Sequence, residues 1–478
     1  MDIDRTRPIP LYFQVKTLIL ERISSGAYLP GDRLPTEHEI CAQYSISRTP
    51  VHRAFSELAD EGIIIRRRRH GSVVNPHWAP DTASQASLRV LLASHDWASY
   101  VRKAAPDDLE LNTVAVGYPN LHRHITRSVA EGQAPDLMLI DSVWVREFAE
   151  GGILAPLDDL APAWIAAEFH DFVPRYEHNG RAIAVAAEVN VAGLWYCKRT
   201  FERLGLSLPE TWEQLESVAA SLKSAQPDAL SLAMPLGIKA AETTTYCLVA
   251  MLTAGGAAVT TDTAVVLDSV AAVTTLEYLK RLVERGLVPM ESVAYDWDRA
   301  PELLALGQAS MSIGGTYEAP FIAETAGVGL DELDEHFGFA ALPVVKTGRD
   351  GTVFGGMAYA IPRQSQRPFD AIRLLRALVE PSAAADLALT TGTLPGRRSA
   401  VSELVQQMPV LQAAAALIDV AELRPQTVAY NRVSTQLQLM IEAVVLGRTA
   451  PSEAVVRTAD LIGAITGLPV IHLDDEAE

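Results

Sequence analysis

A chain of 478 residues is long enough for about three domain-sized units, and 49% hydrophobic with 21% charged residues excludes a mainly disordered polypeptide. The three cysteines, Cys41, Cys197 and Cys247, form no CxxC pair, which excludes a disulfide scaffold or zinc ribbon and predicts a reducing compartment. The net charge of −19 is uneven: residues 1–76 hold 11 Lys+Arg against 9 Asp+Glu, a net of +2, and the remainder 29 against 50, a net of −21. Only the first segment suits a polyanion. The start of the chain lacks the basic, apolar and small-residue order of an export signal. The most apolar stretch, Cys247 to Val259, is too short for a bilayer, which needs about 20 residues, so a soluble cytoplasmic protein is expected.

In chain order, Leu11, Val15, Leu18, Ile19 and Ile23 share one helical face, and Gly26 closes the run. A Pro30-Gly31 turn follows, and Thr36 with Glu39 makes a capping box for a helix ending near Tyr44. Ser45 to Ser47 form a turn. From Arg48 a third helix points Val51, Ala54, Phe55 and Leu58 inward and Thr49, Arg53 and Ser56 outward, with His52 on the flank and Pro50 in the first turn. Ile63 to Ile65 and Ser72 to Val74 flank the basic tip Arg66 to Gly71, which predicts a hairpin. Three helices and a basic hairpin make a winged helix-turn-helix, whose third helix offers arginine to guanine edges in the major groove. The arginine run would neutralise phosphates or enter the minor groove.

LPGDRLPTE, SRTPV and EGII with the wing glycine, in that order over residues 8 to 75, resemble the winged-helix domain of the GntR family of bacterial transcription regulators. The resemblance implies double-stranded operator DNA as a partner. It carries the contacts to Thr36, Glu37, His38, Arg48, Thr49, His52, Arg53 and Gly71, with Arg68 and Arg69 on the wing. The family often has arginine where this chain has His38 and His52, and threonine where it has Pro50, which predicts a different operator and pH-sensitive affinity.

His77 to Ser87 reads as a linker, dividing the chain into a head of residues 1–76 and an effector region of 88–473. Leu88 to Ala93 and Asp136 to Asp141 read as strands around a helix-compatible Leu121 to Ala130, hence a βαβ sheet. Set on a strand face, His122 and His124 could hold a metal, but with no third ligand in view a solvated pair is expected.

APDLMLIDSVWVREFAEGGILAPLDDL, GLWYCKRTFERLGLSLPETWEQL, LGQASMSIGGTYEAP, FGFAALPVV with FGGMAYAIPRQS, and TLPGRRSAV are similar, in the right order, to bacterial extracellular solute-binding proteins of the maltose-binding-like family. The implied fold class is α/β: a winged helix-turn-helix followed by a two-lobe periplasmic-binding-protein-like (type II) domain with a sugar in the cleft. Carried over, the ligand contacts are Asp141, Ser142, Trp144, Asn190, Tyr317, Gly356 and Met357, with Trp97, Trp195, Trp297 and Tyr430 as further candidates and Trp212 as packing. Flat aromatics stack on sugar C–H faces while Asp and Asn meet hydroxyls. Exported relatives often have asparagine at Cys197, and a thiol there requires a reduced site.

The combined expectation is a homodimeric regulator, a repressor by family analogy, whose DNA affinity changes when a small molecule, a sugar or oligosaccharide, closes the cleft, controlling carbohydrate uptake or utilisation. No cofactor and no catalysis are expected. One alternative is the solute-binding component of a membrane transporter, which the DNA-binding head and missing export signal oppose. Another is a GntR-type regulator with an aminotransferase-like pyridoxal phosphate domain, for which Lys198, Lys239 and Lys346 lack the Ser-x-x-Lys setting of a Schiff-base lysine.

Overall fold

The structure is a computed structural model and describes residues 11–24, 28–29, 31–60, 63–67, 71–76, 87–345 and 351–473. Arg68, Arg69, Gly26 and most of the predicted linker, residues 77–86, lie outside the described residues.

The head has three helices, α1 (Leu11–Ser24), α2 (Glu37–Tyr44) and α3 (Arg48–Asp60), and an antiparallel hairpin of β1 (Ile64–Arg67) and β2 (Gly71–Val74). Thr36 and Glu39 close the predicted capping box: the Thr36 hydroxyl accepts from the Glu39 amide at 3.2 Å and the Glu39 carboxylate from the Thr36 amide at 2.7 Å. Ser45, left-handed at φ +53°, ends α2 and starts the turn. Val51, Ala54, Phe55 and Leu58 recur at helical spacing, so α3 buries that stripe against Val15, Ile19, Leu34, Ile40 and Val74.

The strands that follow are β3 (Leu88–Leu92), β4 (Leu111–Ala115), β5 (Leu137–Asp141), β6 (Arg175–His178), β7 (Arg181–Ala186), β8 (Glu188–Cys197), β9 (Leu230–Ala233) and β10 (Ala309–Gly315). They continue with β11 (Phe337–Ala340), β12 (Thr352–Gly355), β13 (Met357–Ala360), β14 (Leu394–Pro395) and β15 (Ala421–Leu423). Helices α4 (His95–Ala104) and α5 (Tyr118–Ala130) make the returns between parallel β3, β4 and β5. His122 and His124 therefore stand on a helix, not on the strand face considered from sequence; Ile125 and Val129, spaced with Leu121, bury the face that sets the register.

Two sheets form two lobes. The first runs β4-β3-β5-β13-β7-β6 and the second β15-β12-β8-β10-β9, with β11 and β14 also on β8. Each has its own core, the first under Leu139, Ile140, Phe148, Val185 and Tyr359, the second under Leu194, Leu215, Met251, Leu279 and Ile441. The chain crosses between sheets at Ala187, where β7 gives way to β8, and returns at Gly356 between β12 and β13. The crossovers touch: the Ala187 amide donates to the Met357 carbonyl at 2.9 Å. Gly356 sits at φ +121°, and a Cβ there would lie 2.4 Å from the Glu188 carbonyl oxygen, so only glycine lets the two passages meet.

Candidate functional site

On the head, the N-terminal end of α3 and the wing present one basic face. Thr49 and His38 are exposed, and Arg48 leaves 79% of its side chain open. Glu37, at the start of α2, is the hub beneath them. Its carboxylate accepts from Arg48 Nε at 3.1 Å, lies 3.1 Å from His52 Nδ1 and accepts from Arg66 Nη2 at 2.5 Å. Burial would raise the Glu37 carboxyl, but hydrogen bonds from Arg48 and His52 and the charge of Arg66 hold it below the usual range. Arg66 also donates to Ser56 on α3 at 2.8 Å, tying wing to recognition helix. Arg53 lies over the Tyr12 ring at 3.7 Å and donates to Glu57 at 3.0 Å. Gly71, at φ +83°, opens β2 beside the Arg33 guanidinium.

Between the lobes, the carried-over residues come together at the two crossovers. Asp141 ends β5, opposite Met357 in the ladder, and the Ser142 amide donates to the Gly356 carbonyl at 3.1 Å. Asn190 faces Gly355 on β12, and the absent Gly355 Cβ leaves room for the Asn190 carboxamide and the Tyr246 ring. Trp144 stacks on Tyr118 with centroids 5.6 Å apart and donates from its indole N–H to Asn431 Oδ1 at 3.0 Å. Tyr317 follows β10 and meets the Tyr246 ring edge-on at 5.8 Å.

The centre of the cleft is Arg424, just past β15 and only 3% exposed. Its Nη2 donates to Asp141 at 3.1 Å on the first lobe, and its Nη1 to Glu242 at 2.5 Å on the second. Tyr118 donates to the other Asp141 oxygen at 2.6 Å, Tyr430 donates to Glu242, and Ser434 donates to it at 2.7 Å. Burial alone would lower the Arg424 guanidinium; Tyr430, Asp141 and Glu242 more than offset this and hold it well above its ordinary value. Burial raises Glu242 despite Arg424. Glu242 opens a helix, Glu242–Ala254, behind Ala241, a non-glycine residue at φ +48° and ψ −119°.

The remaining aromatics divide. Tyr430 is in the cleft. Trp195 is fully buried on β8 and donates to the Gly315 carbonyl at 3.0 Å, and Trp97 packs against Tyr359 at 5.9 Å, so both belong to the interior. Trp297 is 48% exposed beside Phe321, outside the cluster around Arg424. Trp212 stacks on Tyr278 at 4.4 Å, as packing. Cys197 lies at the far end of β8, opposite Phe337, away from the cleft. His122 pairs with Glu147 at 3.0 Å, and among the described residues no three His, Cys, Asp or Glu side chains could hold a metal ion. Tyr118, Glu242, Tyr246, Arg424, Asn431 and Ser434 are cleft residues that the sequence did not single out.

Among the described residues no helix is long and apolar enough to cross a membrane. Residues 82–385 match the family model for bacterial extracellular solute-binding proteins, and residues 11–74 that for bacterial regulatory proteins of the gntR family. The histidine utilization repressor of Klebsiella aerogenes is 44% identical over 70 residues, 15% of this chain and 29% of the repressor, so the chain spans under a third of that relative's length. A putative binding protein of Brucella abortus (strain 2308) is 23% identical over 354 residues, 73% of this chain and 84% of the relative. Among solved structures, a solute-binding protein of Thermotoga lettingae bound with alpha-D-tagatose matches at TM-score 0.69 and 21% identity, over 80% of this chain and 100% of that one. Maltose-bound MalE3 of T. maritima matches at TM-score 0.69 and 21% identity, over 79% and 99%. At these identities the two structures establish the fold alone.

Proposed function

Since this chain belongs to the bacterial extracellular solute-binding protein family and carries a gntR-type head at its start, we propose that it is a DNA-binding transcription regulator governed by a small molecule in the cleft between its lobes. The observation that carries this reading is the Asp141–Arg424–Glu242 bridge, one guanidinium held at once by a carboxylate of each lobe. A molecule entering there must remake the bridge and so change how the lobes sit. The effector is a sugar or oligosaccharide, in keeping with the tagatose and maltose bound by the structural neighbours. Asp141, Ser142, Trp144, Asn190, Tyr317, Gly356 and Met357 line its site. Thr36, His38, Arg48, Thr49, His52, Arg53 and Gly71, with Arg68 and Arg69, meet DNA, while Glu37 steadies Arg48 and Arg66. The protein acts in the cytoplasm as a homodimer on paired half-sites, repressing carbohydrate uptake or utilisation genes until the effector arrives, and it is not an enzyme.

Retardation of the DNA upstream of its own gene tests the head. It should weaken steeply between about 50 and 200 mM salt, and indifference to salt would refute phosphate-anchored binding. A sugar panel read by thermal shift and by release from that DNA tests the coupling. Trp144→Ala should lose the sugar response and keep DNA retardation, and Arg48→Ala the reverse; loss of both functions in either variant would contradict the division of labour.

A further inference from the structure

Carboxyl groups outnumber cations around the cleft. Asp141, Glu188 and Glu318 are at most 7% exposed, and among the described residues Arg424 pairs with Asp141 and with Glu242 at the start of its helix. Among the described residues neither Glu188 nor Glu318 has a basic partner; Glu188 accepts from Thr393 at 2.7 Å and one Glu318 carboxyl oxygen is buried without a hydrogen bond. The Tyr246 hydroxyl and the Asn190 carbonyl oxygen are likewise buried and unpartnered. Tyr246 is the shared wall: its ring lies 5.3 Å from the Arg424 guanidinium and closes over Gly315 and Gly355, next to Tyr317 and Asn190. These are surplus acceptors and aromatic faces.

Arg424 has nothing left to offer an anion. Its Nε donates to the Phe354 carbonyl at 3.3 Å, Nη1 to Glu242 and to Tyr430 at 3.5 Å, and Nη2 to Asp141 and to Ser142 at 3.4 Å, which uses its five N–H groups. A phosphate or carboxylate brought here would meet Asp141 and Glu242 with no free donor between them. The surroundings of Arg424, a carboxylate from each lobe and the rings of Tyr246 and Tyr430, are those that recognise an organic cation.

We propose that the effector carries a positively charged nitrogen, and that Arg424 is a built-in stand-in which that nitrogen displaces from between Asp141 and Glu242. This rests on the reading of the cleft as the effector site: an amino sugar narrows the sugar reading to basic ligands, whereas a polyamine would replace the sugar and keep the site. Displacement frees Arg424 while the incoming cation joins Asp141 and Glu242 in its place, and the different size and reach of that cation reset how the two lobes sit.

The test uses the full chain in titration calorimetry, with glucosamine and galactosamine, their N-acetylated counterparts, glucose and maltose, glucuronate and glucose 6-phosphate, and putrescine and spermidine. The free amines, of whichever of the two sources, should bind at least about tenfold more tightly than the N-acetylated and neutral compounds, and the anions should not bind. Arg424→Met, which keeps the bulk and removes the competitor, should tighten amine binding by a further tenfold or so. A folded Arg424→Met that loses amine binding overturns the stand-in. Equal or tighter binding of N-acetylated or neutral sugars by the unaltered protein overturns the proposal by itself, whether or not the variant folds, and leaves the sugar-effector reading standing. Binding by none of these compounds removes both.

Discussion

Ala241 and Glu188 show how single side chains set the cleft. Ala241 adopts φ +48° and ψ −119°, a conformation that L-residues other than glycine rarely hold, and thereby aims Glu242 into the cleft from the first turn of its helix. Ala241→Gly should stabilise the second lobe by about 1 kcal/mol, read as a higher urea midpoint; a loss of stability would refute the strain. Glu188, at the crossover, is raised from 4.5 to about 7, chiefly by burial, with Thr393 and Thr391 opposing and Asp141 adding to it. Below pH 4.5 the group is protonated whether folded or not. As pH rises toward 7 the unfolded chain releases the proton while the folded chain keeps it, so folding is progressively penalised, by on the order of 3 kcal/mol in full. Glu188→Gln, neutral throughout, should become increasingly more stable than the natural protein from pH 4.5 to above 7; a melting difference that ignores pH would refute this.

At the scale of elements, legibility followed locality. The head could be read closely because its signals are short-range: the 36-to-39 capping box, the stripe of α3, and alternation around a glycine tip. The strand leading to Asp141 was legible because Leu137 to Ile140 is an unbroken apolar run, whereas Asp141 as a site residue came only from the family resemblance. Arg424 was not. It follows a three-residue edge strand without period, and its partner Asp141 lies 283 residues away, so only the folded topology joins them. The tryptophans are hard to tell apart for a related reason: Trp195 and Trp144 are both buried, and what separates them is place in the fold, Trp195 within β8 and Trp144 in the short turn after β5. α3 also carries a prediction. Phe55 is 1% exposed at the centre of the head, so Phe55→Ala should cost about 3 to 5 kcal/mol there and abolish DNA retardation. The ligand-induced thermal shift of the lobes should survive; its disappearance would show that the head's core also supports them.

For the whole molecule, the two crossovers are where one lobe can feel the other. Gly356→Ala forces a Cβ to within 2.4 Å of the Glu188 carbonyl at an already unfavourable φ, and should cost about 2 kcal/mol or more. Both lobes should lose stability together in a denaturant titration, and loss confined to one would show that they do not share the joint. The sheet order has a temporal consequence as well. The middle of the first sheet is β13, wedged between β5 and β7 although the entire run from Glu188 to Gly355 separates it from β7 in the chain. On the ribosome the head is complete long before β13 emerges, so a nascent or prematurely terminated chain ending short of Met357 would carry a finished gntR-type head attached to a first sheet that still lacks an inner strand.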